Sequence, residues 1–332
     1  MRRSPSPTAR ARSRNLGAAL LLAAWQGPAL AQATPSTVDC AAIETDRERL
    51  VCYDRASGRA GEPPASRATG SLIDTAWSFD RASPRFVIGL HNQNYLLLAR
   101  YTDHVNTAPY DDLVPAGQQA SLDSTEAKFQ ISFKARLWAT DDRRWGVWAA
   151  YTQQNQWQVY NSEISRPFRE TNYMPEVFAS YRPGIELGDF QWRLLNFGYM
   201  HQSNGRTDVL SRSWDRLFVE AGVEHRTFVL LARVWHRLEE DAAKDDNPDI
   251  TDFYGHGSLT ATYKWRENSL SLMARGNLRK GKGGGQLTWM SPEVLGSLRG
   301  YVQIFSGYGE TLIDYNWKQN TIGIGIAVND LF

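Results

Sequence analysis

Residues 128–137 read KFQISFKARL, and their alternation decides the fold. Phe129, Ile131, Phe133, Ala135 and Leu137 take one parity, while Lys128, Gln130, Ser132, Lys134 and Arg136 take the other. Successive side chains of an extended strand point to opposite faces, so one face here is apolar and the other polar and charged. A strand in a water-soluble core rarely needs such a row of long charges. A barrel wall with a polar interior and a lipid-facing exterior does.

Working outward, similar strands are expected at 85–101, 126–138, 145–160, 172–183, 189–204, 211–224, 226–238, 251–265, 268–279, 284–291, 297–308 and 319–332. That makes twelve, an even count suited to a closed antiparallel transmembrane β-barrel with both ends on the periplasmic side. The closing stretch TIGIGIAVNDLF alternates Ile322, Ile324, Ile326 and Val328 and stops at Phe332, a pattern similar to the final strand of bacterial outer-membrane barrels. Trp138, Trp145, Trp157, Tyr173, Trp192, Trp214, Trp265 and Trp289 fall near strand ends, where they can form interfacial girdles or fill the barrel.

Composition agrees. The 332 residues carry a formal net charge of +1 and no basic stripe, which argues against nucleic acid as a partner. No apolar run approaches the ~20 residues of a membrane helix, yet aromatics make up 12% of the chain. Alternating faces average to a soluble-looking hydropathy, which resolves the conflict.

The N-terminus reads differently. MRRSPSPTARARSRN is basic, LGAALLLAAW is a short apolar core, and Ala31-Gln32-Ala33 is an A-x-A cleavage signature, so residues 1–33 are expected to be a secretory signal. Cys40 and Cys52 follow, most simply a disulfide in an oxidising compartment. Ala, Gly, Pro, Ser and Arg dominate from Ala56 to about Gly70, as in a linker. Residues 34–84 are thus expected to form a small periplasmic extension and 85–332 the barrel.

Chemistry concentrates at 199–216, YMHQSNGRTDVLSRSWDR. His201 and Ser203 lie two apart and share a strand face, and a chain reversal after them would return Asp215 beside the imidazole. Nucleophile, base and base-orienter are the components of acyl transfer. Leu195, Phe197 and Tyr199 share the parity of His201 and Ser203, and Leu217, Val219 and Ala221 that of Asp215. In a transmembrane barrel this apolar face touches lipid. If the first strand rises from the periplasm, the loop after Ser203 lies on the cell-surface side.

With these residues in view, the chain resembles the outer-membrane phospholipase A family. SFKARLW (132–138), NSEISRPFRETNYMPE (161–176), HQSNGRTDVLSRSWDR (201–216), DDNPDIT (245–251), SGYGETLIDYN (306–316) and NDLF (329–332) carry the resemblance. It implies a calcium-dependent lipase acting on outer-leaflet phospholipid as a homodimer, with its site on the outside of the barrel. Ser203 would be nucleophile and His201 general base. The third member is usually Asn in the family and is Asp215 here. The resemblance assigns calcium to the Ser211 hydroxyl, the Arg206 carbonyl and a carbonyl from Ser165 of the partner subunit, with the Gly205 amide completing the oxyanion site. Asp208 and Asp246 would form a weaker cation site or remain solvated carboxylates. Gln153 falls on a lipid-facing row, where the family places a glutamine in the dimer seam. The competing expectation is a channel or structural barrel without chemistry.

Overall fold

The computed structural model describes residues 40–57, 70–118 and 120–332. The signal expected at 1–33 and most of the linker lie outside these residues. The chain divides into two compact units, Met1–Arg67 and Ala68–Phe332. In the first, helix α1 (Asp46–Ala56) carries Cys52, which is bonded to Cys40 with an S–S distance of 2.04 Å.

The second unit is one antiparallel sheet closed on itself. Its strands are β1 (Val87–Leu90), β2 (Asn94–Thr102), β3 (Thr125–Ala139), β4 (Trp145–Trp157), β5 (Phe168–Tyr181), β6 (Ile185–Leu187), β7 (Phe190–Ser203), β8 (Ser213–His225), β9 (Phe228–Arg237), β10 (Gly257–Trp265), β11 (Asn268–Asn277), β12 (Lys282–Leu295), β13 (Leu298–Tyr308) and β14 (Lys318–Asn329). β14 pairs with β2, and β3 pairs with both β2 and β4, so the ladder runs round without a free edge. β1 and β2 are one wall strand interrupted at 91–93, and β6 only extends the β5–β7 turn, which leaves a twelve-stranded barrel. The interruption has a local cause. Asn94 lends its side chain to the ladder, accepting from the Ser132 amide at 2.7 Å and donating to the Ser132 carbonyl at 3.0 Å.

The parity read from the sequence holds on β3. Lys128, Lys134 and Arg136 are buried inside, whereas Ile131, Phe133 and Leu137 are exposed on the outer wall. Several interior charges are paired: Arg100 and Lys128 bond Glu310, and Arg169 bridges Glu126 and Asp314. Others rest on uncharged partners, Lys134 over the Trp77 ring and Arg136 on the Ser78 carbonyl, since a buried ion needs compensation of one kind or the other. Among the girdle candidates Trp138 and Trp145 face outward, whereas Trp214 is fully buried in the barrel.

Both mouths are obstructed. Helix α2 (Leu72–Trp77) begins at Ser71, whose hydroxyl accepts from the Asp74 amide, and buries Ile73 and Trp77 against Leu194 and Val229. Asp74 pairs with Arg182 at 2.6 Å and Arg193 at 2.7 Å, and the Lys134 ammonium lies 3.9 Å from the Trp77 ring centre. At the other end helix α3 (Ile250–Tyr254) buries Ile250, Phe253 and Tyr254 beside Leu312 and Tyr315. The strand expected at 251–265 therefore starts only at Gly257, because the i, i+3, i+4 spacing of those three apolar residues folds as a helical turn.

The short turns 226–227, 266–267 and 296–297 gather at the α2 end, while loops 103–124, 158–167, 204–212, 238–256 and 309–317 gather at the other. In outer-membrane barrels short turns face the periplasm and long loops the exterior. No helix among the described residues is long and apolar enough to cross a membrane; the strands do the crossing.

Candidate active site

β7 and β8 place the candidate residues. His201 stands directly opposite Asp215 in the ladder, and Ser203, the last residue of β7, stands opposite Ser213 of β8 and Tyr173 of β5. Their neighbours Met200, Gln202, Trp214 and Arg216 point inward and are buried, so His201, Ser203 and Asp215 occupy the outer wall. His201 Nδ1 is 2.8 Å from Asp215 Oδ1, with the two side chains 34% and 30% exposed. This is the base–orienter contact that an acyl-transfer site requires. No hydrogen bond joins Ser203 to His201 among the described residues. Such contacts are commonly long before substrate enters, so geometry keeps Ser203 in place as the hydroxyl two residues along the same face.

The wall behind the pair is rigid. Trp214 is fully buried between the Arg216 guanidinium, 3.7 Å from its ring centre, and the Tyr254 ring at 5.5 Å, and its Nε1 donates to Gln202 at 3.1 Å. Asp215 therefore rides on a strand whose inner face cannot shift without disturbing the packed core.

Loop 204–212 carries Gly205, Arg206, Asp208 and Ser211, and one residue not singled out from the sequence organises it. Asn204, nearly fully buried, accepts from the backbone amides of Arg206 at 3.3 Å and Arg212 at 3.0 Å. Its Nδ2 donates to the Leu210 carbonyl at 2.7 Å and to Glu170 at 3.3 Å. Glu170 in turn accepts from the Ile313 amide, which ties this loop to loop 309–317. Gly205 sits at φ +63, where a side chain is disfavoured, and a Cβ there would meet the Tyr173 ring at 2.8 Å. The backbone of Gly205 is thus fixed against Tyr173, two residues past Ser203.

A second unanticipated residue is Tyr199, whose hydroxyl donates to Asp215 Oδ1 at 2.5 Å. It lies two residues before His201 on the same face, a spacing that could have revealed it. Its place in an apolar row made it read as wall.

The remaining candidates are dispersed. Ser165 is exposed at φ +59 in loop 158–167. Asp208, at φ +53, and Asp246 are both exposed, and no group of three or more His, Cys, Asp or Glu side chains converges to hold a metal among the described residues. Asp246 does adjoin the site through Asn247, whose side-chain oxygen accepts from the Ser213 amide at 3.0 Å. The oxygen-only set of the Ser211 hydroxyl and the Arg206 carbonyl fits a hard cation, since neither oxygen is used by another hydrogen bond among the described residues. Gln153 lies on the outer wall of β4 with its amide satisfied in the chain. It accepts from the Tyr151 hydroxyl at 2.9 Å and donates to Asn155 at 2.9 Å, and Asn155 also accepts from Thr171 at 3.0 Å. A short polar ladder thus leads from Tyr151 and Gln153 on the outer wall to the buried Asn155.

Wall, lumen and loop asymmetry together define a transmembrane β-barrel of the bacterial outer membrane, with the candidate residues His201, Ser203 and Asp215 outside the lumen. Residues 74–328 match the family model for phospholipase A1. The putative phospholipase A1 of Neisseria meningitidis serogroup B is 33% identical over 89% of this chain and 91% of its own length. The phospholipase A1 of Escherichia coli K12 is 36% identical over 74% and 83%. Among solved structures, outer membrane phospholipase A from Escherichia coli superposes with a TM-score of 0.69 at 34% identity, covering 74% of this chain and 100% of that one. The calcium-bound dimer of the Salmonella typhi outer membrane phospholipase gives 0.70 at 33% identity, covering 80% and 99%. The chain belongs to the phospholipase A1 family and is an outer-membrane phospholipase.

Proposed function

We propose that this enzyme hydrolyses acyl esters of phospholipids in the outer leaflet, with Ser203 as nucleophile, His201 as general base and Asp215 orienting the imidazole. The observation that carries the reading is the 2.8 Å His201–Asp215 contact on the outer wall, with Ser203 two residues further on the same face. His201 takes the Ser203 proton as Oγ attacks the ester carbonyl, and returns it to the departing lysophospholipid oxygen. The acyl group stays on Ser203 until water, activated by the same imidazole, releases it as fatty acid. The Gly205 amide is a donor for the tetrahedral oxyanion.

Calcium is the cofactor this reading adopts, in keeping with the calcium-bound Salmonella typhi relative. The Ser211 hydroxyl and Arg206 carbonyl would hold it, with Ser165 of the partner subunit completing the set; Asp208 and Asp246 are weaker candidates. When bound, such an ion supplies a positive charge beside the developing oxyanion. The active form is a homodimer, with the ladder around Gln153 in the seam and the acyl chains between two barrels. A monomer then lacks the partner's ligand and half the substrate groove, so assembly controls turnover.

A passive channel is opposed by the paired interior charges and by helices α2 and α3 at the two mouths. The deciding experiment measures fatty-acid release from mixed phospholipid–detergent micelles, with calcium and with chelator, for wild type and Ser203→Ala. Calcium-dependent release lost in the variant is expected. Release that survives the substitution would identify a different nucleophile.

A further inference from the structure

We propose that Tyr199 is a positioning residue for the hydrolysis, setting through Asp215 how firmly the His201 imidazole holds its proton. The inference rests on the Ser203–His201–Asp215 reading above. Tyr199, His201 and Ser203 share the outward row of β7, and the ladder sets Asp215 opposite His201 and Leu217 opposite Tyr199. The Tyr199 hydroxyl and His201 Nδ1 converge on one atom, Asp215 Oδ1, at 2.5 and 2.8 Å. Tyr199 is the one side-chain hydroxyl bonded to Asp215 among the described residues.

The arrangement answers a problem that a carboxylate meets on this wall. The outer wall around the pair carries exposed Phe197, Leu217 and Val219, a setting in which a carboxylate is costly without donors. A neutral amide at position 215 would carry no such need. The phenol meets it and has a second effect. A hydrogen bond into the carboxylate draws charge from the oxygen that holds the imidazole, so Asp215 stabilises the protonated ring less than a bare aspartate would. His201 is thereby left more readily available as a base.

The other charged or titratable groups facing the pair do not duplicate this. Tyr173 comes from β5 opposite Ser203, and His236 from β9 opposite Leu217. Arg237 is engaged by Asp245 at 2.6 Å and Glu240 at 3.5 Å, and Glu240 is close enough to Asp215 to feel its charge.

The test is the pH profile of kcat/KM, with calcium present, for wild type, Tyr199→Phe, Asp215→Asn and the double variant, each verified as a heat-modifiable barrel. Tyr199→Phe is expected to move the acidic limb up by about one pH unit, so that kcat/KM on that limb falls about tenfold while the plateau is nearly kept. In the Asp215→Asn background the same substitution should shift the limb much less. Tyr199→Leu, which keeps an apolar side chain on the lipid face, serves as the second variant should the Phe form fold poorly. A loss of equal size at every pH, and equal with Asp or Asn at 215, would overturn the proposal and reduce Tyr199 to packing. Failure of the underlying reading looks different: Asp215→Asn alone would leave the limb where it is, or Ser203→Ala would retain turnover.

Discussion

Replacing Asn204 with alanine should disable the enzyme without unfolding it. Four side-chain hydrogen bonds disappear, at 2.7 and 3.0 Å to Leu210 and Arg212 and at 3.3 Å to Arg206 and Glu170. At about 1 kcal/mol net for each of the two short ones and less for the long ones, the loop loses about 2–3 kcal/mol of local order. The Asn204 amide still donates to the Arg212 carbonyl at 3.0 Å, and the β7–β8 ladder is untouched, so the cost falls on the loop alone. If all of it is charged to positioning in the transition state, kcat/KM drops about 30- to 150-fold. The assay is fatty-acid release across a calcium titration, paired with calorimetric calcium binding in a Ser203→Ala background, where turnover cannot interfere. Asn204→Asp should recover part of the loss, because it keeps acceptors for the Arg206 and Arg212 amides, though not fully, because it places a carboxylate against Glu170. A folded Asn204→Ala enzyme with turnover and calcium response within about twofold of wild type would refute the reasoning, since the loop would then hold its shape by other means.

Other substitutions probe separate parts. Gly205→Ala forces a side chain into φ +63 and against the Tyr173 ring, so turnover should fall by at least tenfold with the heat-modifiability temperature unchanged, as gel mobility and release assays would show. Trp77→Ala removes a nearly fully buried ring and its contact with Lys134; a cost of about 3–5 kcal/mol should leave the α2 segment cleavable by protease while the barrel stays resistant. Gln153→Ala should lower the cross-linked dimer fraction and turnover together, and a change in one without the other would separate the polar ladder from assembly. Burial alone would raise the Glu310 carboxyl, but Arg100 and Lys128 hold it at about 2, below the ordinary 4.5. A depressed value stabilises the fold above pH 4.5, and that contribution is lost as pH falls toward 2. Thermal unfolding temperature should therefore decline across that window, and less steeply in Glu310→Gln.

Strand periodicity made the barrel legible because every wall residue reports its face through parity alone. The same parity put His201, Ser203 and Asp215 outside, and the ladder pairs the first with the last. Elements held by distant partners escaped that logic. The Ile73 amide donates to Glu224, 151 residues away, which is why a short helix in an Ala- and Ser-rich neighbourhood read as part of an extension rather than as cover for the barrel mouth. Asn204 escaped for a similar reason, since its importance lies in four groups that converge only once the loop has closed. Helix α3 was obscured by the alternation of the strand that follows it.

On β7 the odd-numbered positions 199, 201 and 203 lie on the outer wall, while 200 and 202 meet the packed interior. On the proposed mechanism, two programmes are therefore interleaved letter by letter in one segment, one for turnover and one for architecture. Variation at alternate positions can change the chemistry without touching the scaffold, or loosen the scaffold without touching the chemistry. On that mechanism the separation ends at Asn204, just past the strand, where a single buried side chain would serve both.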